Sequence, residues 1–168
     1  MKEKLLNHFM RIGPRRFVVG TVILLVILDV LNSIYLKLSW VKNDLSHKIV
    51  LLIIDRMKLQ IGDFDQATIM EISGLTNKSF DFFLLLILVN NLFFYFFYLR
   101  KKLWAQAYVL FYALTASIFS ATMIFDGYGM GLGWTIFNIL TVPLYLYIYW
   151  GVKLLKNETT LVPEKKGR

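Results

Sequence analysis

The stretch that decides the fold is FVVGTVILLVILDVLNSIYL, residues 17–36. These twenty residues hold one charged side chain, Asp29. A helix of this length, at about 1.5 Å per residue, crosses a hydrocarbon core of about 30 Å. Basic residues precede the stretch, as in a signal peptide, but the run is longer than the usual apolar region and no small-residue cleavage site follows it. It therefore predicts a retained transmembrane helix.

Three further apolar runs are long enough to cross the same core. Six consecutive aromatic residues, 93–98, lie where an interfacial belt is expected, just before Arg100. Apolar residues make up 57% of the chain, more than a soluble domain of 168 residues would bury. The sequence predicts an all-α membrane protein, a bundle of four transmembrane helices at residues 17–37, 81–99, 103–125 and 134–155.

Lys and Arg are divided unevenly between the two sides of this arrangement. The side with both termini carries 13 of the 19 Lys and Arg residues, and the other side carries 6. Because cytoplasmic segments are enriched in Lys and Arg, we predict that both termini face the cytoplasm and that the chain lies in a bacterial inner membrane. The cytoplasmic segments are then 1–16, 100–102 and 156–168. Their basic residues nearest to the spans are Arg11, Arg15, Arg16, Arg100, Lys101 and Lys102.

Residues 38–80 are predicted to form a small outer-side, periplasmic domain. An apolar run at 49–54 and the alternation that continues to Ile61 favour a strand, with 67–72 as its partner. A helix stays open, since several apolar residues also share one helix face. These residues are Val50, Ile53, Ile54, Met57 and Ile61. The domain is therefore expected to be α/β or helical.

Two features predict a homo-oligomer, a trimer or larger. An outer domain of this size buries little core by itself, so neighbouring protomers are expected to support it. The third span also carries small residues that suit close helix packing. They are Ala113, Ala116, Ser117, Ser120 and Ala121.

Asp29 is the most informative polar residue, because a carboxylate within an apolar span is costly unless it is paired, hydrated or protonated. Asn32 and Ser33 follow it at the helical spacings i+3 and i+4, so one face of the first span is polar over a full turn. This intramembrane polar face is either an ion or proton site, or a hydrogen-bonded clamp between helices. The candidate clamp partners are Asn90, Asn91 and Asn138.

Two carboxylates, Asp81 and Asp126, occur at the predicted outer ends of the second and third spans. They could join Asp29 in a cation site, but Asp is also ordinary at such boundaries. The outer loop 126–133 contains the Gly-Tyr-Gly triplet of potassium filters, yet no residues are left for the re-entrant helix that a filter requires. Its glycines instead predict a tight turn that lets two spans approach. They are Gly127, Gly129, Gly131 and Gly133.

Several chemistries find no support in the sequence. The chain has no cysteine, which excludes disulfides and thiolate ligands. The two histidines, His8 and His47, fall on opposite sides of the predicted membrane, so they cannot share a metal site or a triad. The net charge of +8 follows from topology, and direct nucleic-acid binding is not expected. We therefore predict no metal, no cofactor and no enzyme activity.

The layout invites comparison with two families. A four-span chain with an outer-half aspartate is similar to lipoprotein signal peptidase, an aspartyl-type intramembrane peptidase. The segment Ile53-Ile54-Asp55-Arg56 resembles that family's aspartate motif. However, it lies outside any predicted span, and the asparagine-bearing motifs of the family are missing. The layout also resembles the membrane subunit of the Kiwa antiphage defence system, a small polytopic protein that works with a cytosolic protein. That resemblance covers the layout only and has no motif.

The predicted function is that of a non-enzymatic membrane sensor, anchor or scaffold. It would oligomerise among membrane lipids and recruit a cytosolic protein, and the Kiwa resemblance implies a role in antiviral defence. The alternative is a small oligomeric ion channel or proton-coupled transporter with Asp29 in its pathway. The remote alternative is the intramembrane peptidase.

Overall fold

A computed structural model describes residues 2–57, 65–126 and 131–161 of the chain, all of whose regular structure is helical. Four of its helices are long and apolar enough to cross a membrane, which confirms that prediction. The helices are α1 (Lys2–Ile12), α2 (Pro14–Lys42), α3 (Leu45–Arg56), α4 (Gln66–Leu99), α5 (Leu103–Asp126) and α6 (Leu132–Leu161).

The helices α2 and α4 continue well past the predicted spans. They have 29 and 34 residues, which correspond to about 44 and 51 Å of helix, against a hydrocarbon core of about 30 Å. The first span was predicted to end at residue 37, and the second to begin at residue 81. Within the predicted outer domain, residues 38–80, the segments 38–42 and 66–80 are therefore extensions of these two helices.

The strand predicted between residues 48 and 61 is wrong for the part that the structure describes. Residues 45–56 form α3, and 67–72, the proposed partner strand, lie in the first turns of α4. Val50 and Ile54 are buried on one helix face and form a small cluster with Ile69 of α4. A helix pairs its own backbone groups, whereas a single strand would leave them unpaired. Residues 58–64 lie outside the described part.

The helix α1 was not predicted. It turns into α2 at Gly13, whose φ is +87° and whose amide donates to the carbonyls of Phe9 (3.2 Å) and Met10 (3.1 Å). A glycine in the left-handed region is a common helix end, and Pro14 is well suited to the first position of the next helix. Residues 1–16, expected to be a basic terminus, thus contain a defined helix.

The chain divides into two compact units. Unit 1 comprises Met1–Leu28 and Asn91–Arg168. Its core brings together α1 and segments of all four long helices. The largest fully buried side chains of this core include Phe9, Leu25, Tyr95, Val109, Tyr145 and Ile148. Unit 1 is therefore a helix bundle, as expected for these four helices.

Unit 2 comprises Asp29–Asn90, that is, the second half of α2, α3 and most of α4. A tight turn separates α2 from α3, and Asp44 in this turn has φ 47°. The side-chain amide of Asn43 donates to the Ser39 carbonyl at 3.1 Å. Asp65 caps α4 by accepting a hydrogen bond of 2.9 Å from the Thr68 amide. Hydrogen bonds from Thr68 lower the pKa of the Asp65 carboxyl.

Candidate functional site

The polar face of α2 is largely withdrawn from the surface. Asp29 is 4% exposed, and Asn32 and Ser33 are half-buried. Asp29 and Asn32 each interact with another group in the structure. A carboxylate on an apolar helix that is both buried and engaged fits the clamp interpretation, while the ion-site interpretation would require water to reach it.

The three candidate clamp asparagines have different surroundings. Asn91, 3% exposed, accepts a hydrogen bond from the Tyr108 hydroxyl. Asn138, 1% exposed, donates to the carbonyl of Trp134 one turn earlier on its own helix, at 2.9 Å. Asn90 is exposed, although it lies well inside α4. The structure thus buries two of these amides and leaves one on the surface.

The small-residue face of α5 is used within the chain. Ala113, Ser117 and Ser120 are all buried, and α5 packs against α6. The Thr141 hydroxyl of α6 donates to Ser120 Oγ at 3.2 Å and to the Asn138 carbonyl at 3.1 Å. This face was one of the two reasons for expecting an oligomer, and it cannot serve as an outward interface.

A set of contacts that the sequence analysis missed joins α2 and α4 in unit 2, and we call it the Trp40 clamp. Trp40 stacks on Phe80, with ring centroids 3.9 Å apart and an angle of 8° between the planes. The Trp40 indole N–H also donates to Asn77 Oδ1 at 2.7 Å. Lys37 Nζ lies 2.5 Å from Asp81 Oδ1. The spacings i and i+3 on α2, and i, i+3 and i+4 on α4, could have indicated two matching faces.

This clamp accounts for one of the predicted outer carboxylates. Asp81 is an ion-pair partner of Lys37, with the two side chains 55% and 33% exposed, so solvent screens the pair and it adds little stability. The side chain of Asp126 lies outside the described part, as do Gly127 and Gly129. Gly131 has φ +84°, which only glycine adopts without strain, and Gly133 lies within α6.

Basic side chains gather at one end of unit 1. The first residues of α2, the turn between α4 and α5, and the end of α6 converge there around a cavity of about 70 Å³ lined by Pro14, Lys101, Gln106 and Leu155, among others. Arg100 lies over the Phe96 ring, 4.3 Å from its centroid. The other exposed basic residues of these segments are Arg15, Arg16, Lys101, Lys102 and Lys153, and Arg11 is exposed in the last turn of α1.

The helix α1 packs against α6 at the same end. His8 Nε2 lies 3.2 Å from the Tyr147 hydroxyl, and the Phe9 ring lies 5.1 Å from Phe17 and 5.0 Å from Tyr147. Beside these rings is a second cavity of about 180 Å³. Both cavities are smaller than the roughly 300–1,000 Å³ of typical ligand pockets.

Within the described residues, no group of three His, Asp or Glu side chains could hold a metal ion. Comparison of the chain with protein-family models, with curated proteins and with solved structures gave no match.

Proposed function

We propose that this chain is a four-span protein of a bacterial inner membrane that self-associates and serves as an anchor or scaffold. Its basic end would face the cytoplasm and recruit a cytosolic protein. A partner of that kind, and a role in antiphage defence, are what the resemblance in layout to the Kiwa membrane subunit implies. The cytosolic partner and the role in antiphage defence are therefore both parts of this proposal.

One observation carries self-association: unit 2 exposes apolar side chains outside the predicted spans. On α3, Leu52 and Ile53 are 57% and 50% exposed, and Met57, just after α3, is 65% exposed; on α4, Met70 and Leu75 are 62% and 56% exposed. Lipid tails cover apolar residues within a span, but these lie in segments that extend beyond it. Large apolar side chains exposed outside a span are candidates for a protein interface.

The basic end of unit 1 supports the orientation and the cytosolic partner. Three segments that carry Lys and Arg and are distant in sequence meet at one end of the bundle, as expected for the cytoplasmic side. Interface rims with one sign of charge steer partners of opposite charge. An acidic surface on a cytosolic protein therefore fits this end.

The mass of the assembly in lipid nanodiscs tests the proposal. We expect a trimer or larger in native mass spectrometry, because a monomer would leave the apolar surface of α3 in water. Lys101→Asn with Lys102→Gln should keep that mass and lose any co-purifying cytosolic chain. The matched pair Lys42→Gln with Lys48→Gln, at the predicted outer side, should keep both. A stable monomer at micromolar concentration would remove the scaffold proposal.

An ion pathway remains the second candidate function, because of Asp29. A carboxylate 4% exposed within an apolar helix is a default functional-site hypothesis in a membrane. Its engagement with other groups favours a structural role. The flux of ions or protons into liposomes, compared between wild type and Asp29→Asn, distinguishes an ion pathway from a structural role.

A further inference from the structure

An exposed amide lies near the middle of the apolar part of α4. Asn90 is nine residues before Leu99, where α4 ends and the basic turn begins, so it lies about 14 Å from that end. In a hydrocarbon core of about 30 Å, this is close to the midplane. The Asn90 side chain is nonetheless exposed, although an unsatisfied amide in hydrocarbon is costly.

The side chains around Asn90 define an outward-facing strip of α4. Phe83 and Leu86 are 59% and 53% exposed and precede Asn90 by seven and four residues, so all three lie on the same side of the helix. The Thr122 hydroxyl on α5, by contrast, is satisfied within its own helix, where it donates to the Phe119 carbonyl at 2.7 Å.

We propose that this strip (Phe83, Leu86 and Asn90) is where copies of the chain meet, with Asn90 hydrogen-bonding to Asn90 of the next copy. The inference rests on the self-association proposed above and names its surface within the membrane. An amide carries both donors and an acceptor, so it is complementary to itself. In a symmetric oligomer, each Asn90 amide can donate to one neighbouring Asn90 and accept from another, whether the assembly has two copies or more.

The membrane itself favours a second copy over an unrelated partner. All copies of one chain insert with the same orientation, so their Asn90 side chains lie at the same depth without further adjustment. A single polar residue on an otherwise apolar strip fixes the register of the helices, because any shift along the axis leaves the amide in an apolar environment. Large exposed side chains alone would not specify a partner, since lipid covers them equally well.

Cross-linking through introduced cysteines tests this surface, because the chain has no native cysteine and every disulfide must therefore join two chains. Leu86→Cys keeps Asn90 and should form dimers on mild oxidation in nanodiscs. Leu85→Cys is the matched control: Leu85 is also exposed, at 56%, but lies about 100° around the helix from Leu86 and about 140° from Asn90. It should cross-link at least tenfold less.

Removing the amide should weaken the same contact. We expect Asn90→Leu to reduce self-association about tenfold, measured by energy transfer between labelled copies at increasing detergent, while Asn90→Gln should retain most of it. Asn91→Leu is the structural control. It breaks the bond to Tyr108 and should lower the stability of the chain more than Asn90→Leu does.

The outcomes separate this inference from the proposed function. If the wild-type chain is an oligomer but Leu86→Cys does not cross-link, or cross-links only to a different protein, the strip is not the interface between copies and the inference is wrong. The same holds if Asn90→Leu self-associates as strongly as wild type. A monomeric wild-type chain would contradict the proposed function, and this inference with it.

Discussion

Gly151→Ala is expected to lower the unfolding free energy of the chain by about 1–3 kcal/mol. Gly151 is buried on α6, and a Cβ added there would meet the Phe17 ring of α2, with Phe17 Cε1 at 2.9 Å and two other ring atoms still closer. Phe17 cannot move aside easily, because it is 4% exposed and its ring packs against Phe9 and Tyr147. The glycine is thus required for the close approach of α2 and α6.

Gly20→Ala is the matched control for this substitution. Gly20 is also within a long helix, but a Cβ there meets nothing within 4 Å. Its replacement should leave stability unchanged or raise it by up to about 1 kcal/mol. Phe17→Leu in the Gly151→Ala background should recover part of the loss, a non-additive effect expected of contacting residues. Denaturant titration in bicelles measures all four chains. Equal stability of Gly151→Ala and Gly20→Ala would show that the contact is not tight.

Asp29→Leu is expected to destabilise the chain, and Asp29→Asn to be tolerated. Asp29 is buried and engaged within α2. Asparagine keeps its shape and much of its hydrogen bonding while it removes the charge. Leucine leaves the partner groups without a bond, at a cost of about 1 kcal/mol per bond in a membrane protein. Under the clamp interpretation, assembly and activity therefore survive Asp29→Asn.

Liposome flux, measured beside the native oligomer mass, separates this result from an ion pathway. If Asp29 carries ions or protons, the wild-type chain shows flux, and Asp29→Asn abolishes it while the oligomer stays intact, since the charge itself is needed. We expect no flux that depends on Asp29. Loss of flux in a normally assembled Asp29→Asn chain would mean that the transporter class is correct and the scaffold class is not.

Hydropathy predicted the four long helices because a run of some twenty apolar residues has few other places to go. The same measure could not give their ends. Beyond their apolar parts, α2 and α4 continue as helices that contain both polar and apolar residues. The hydropathy therefore changes at a point where the backbone stays helical. The residues 66–80 that precede the second predicted span are a case in point.

The strand near residue 50 was wrong because its short pattern fits both periods. Apolar residues at 49–54 are contiguous, so alternation and a helix face cannot be told apart. In the structure, the helix places Val50 and Ile54 on one face, where they cluster with Ile69, a residue distant in sequence. The helix α1 was overlooked because it is short and charged, although Gly13 and Pro14 already marked a helix end followed by a helix start.

For the candidate site residues, the sequence gives the polar positions but not their environments. Asn90 and Asn91 are neighbours with the same side chain, yet one is exposed and the other buried. The difference of about 100° per residue around a helix decides this, and no local pattern indicates which side faces the core. For the same reason, the small residues of α5 suggested an outward interface and are used inside the chain.

The central claim is that the chain crosses the membrane four times with its basic end in the cytoplasm. Single cysteines in the otherwise cysteine-free chain, labelled with an impermeant thiol reagent, test it directly. We predict that His47→Cys and Glu71→Cys are labelled in intact cells, whereas His8→Cys and Lys165→Cys are labelled only after the membrane is opened, as the 13-to-6 division of Lys and Arg requires. Labelling of Lys165→Cys in intact cells would contradict the account.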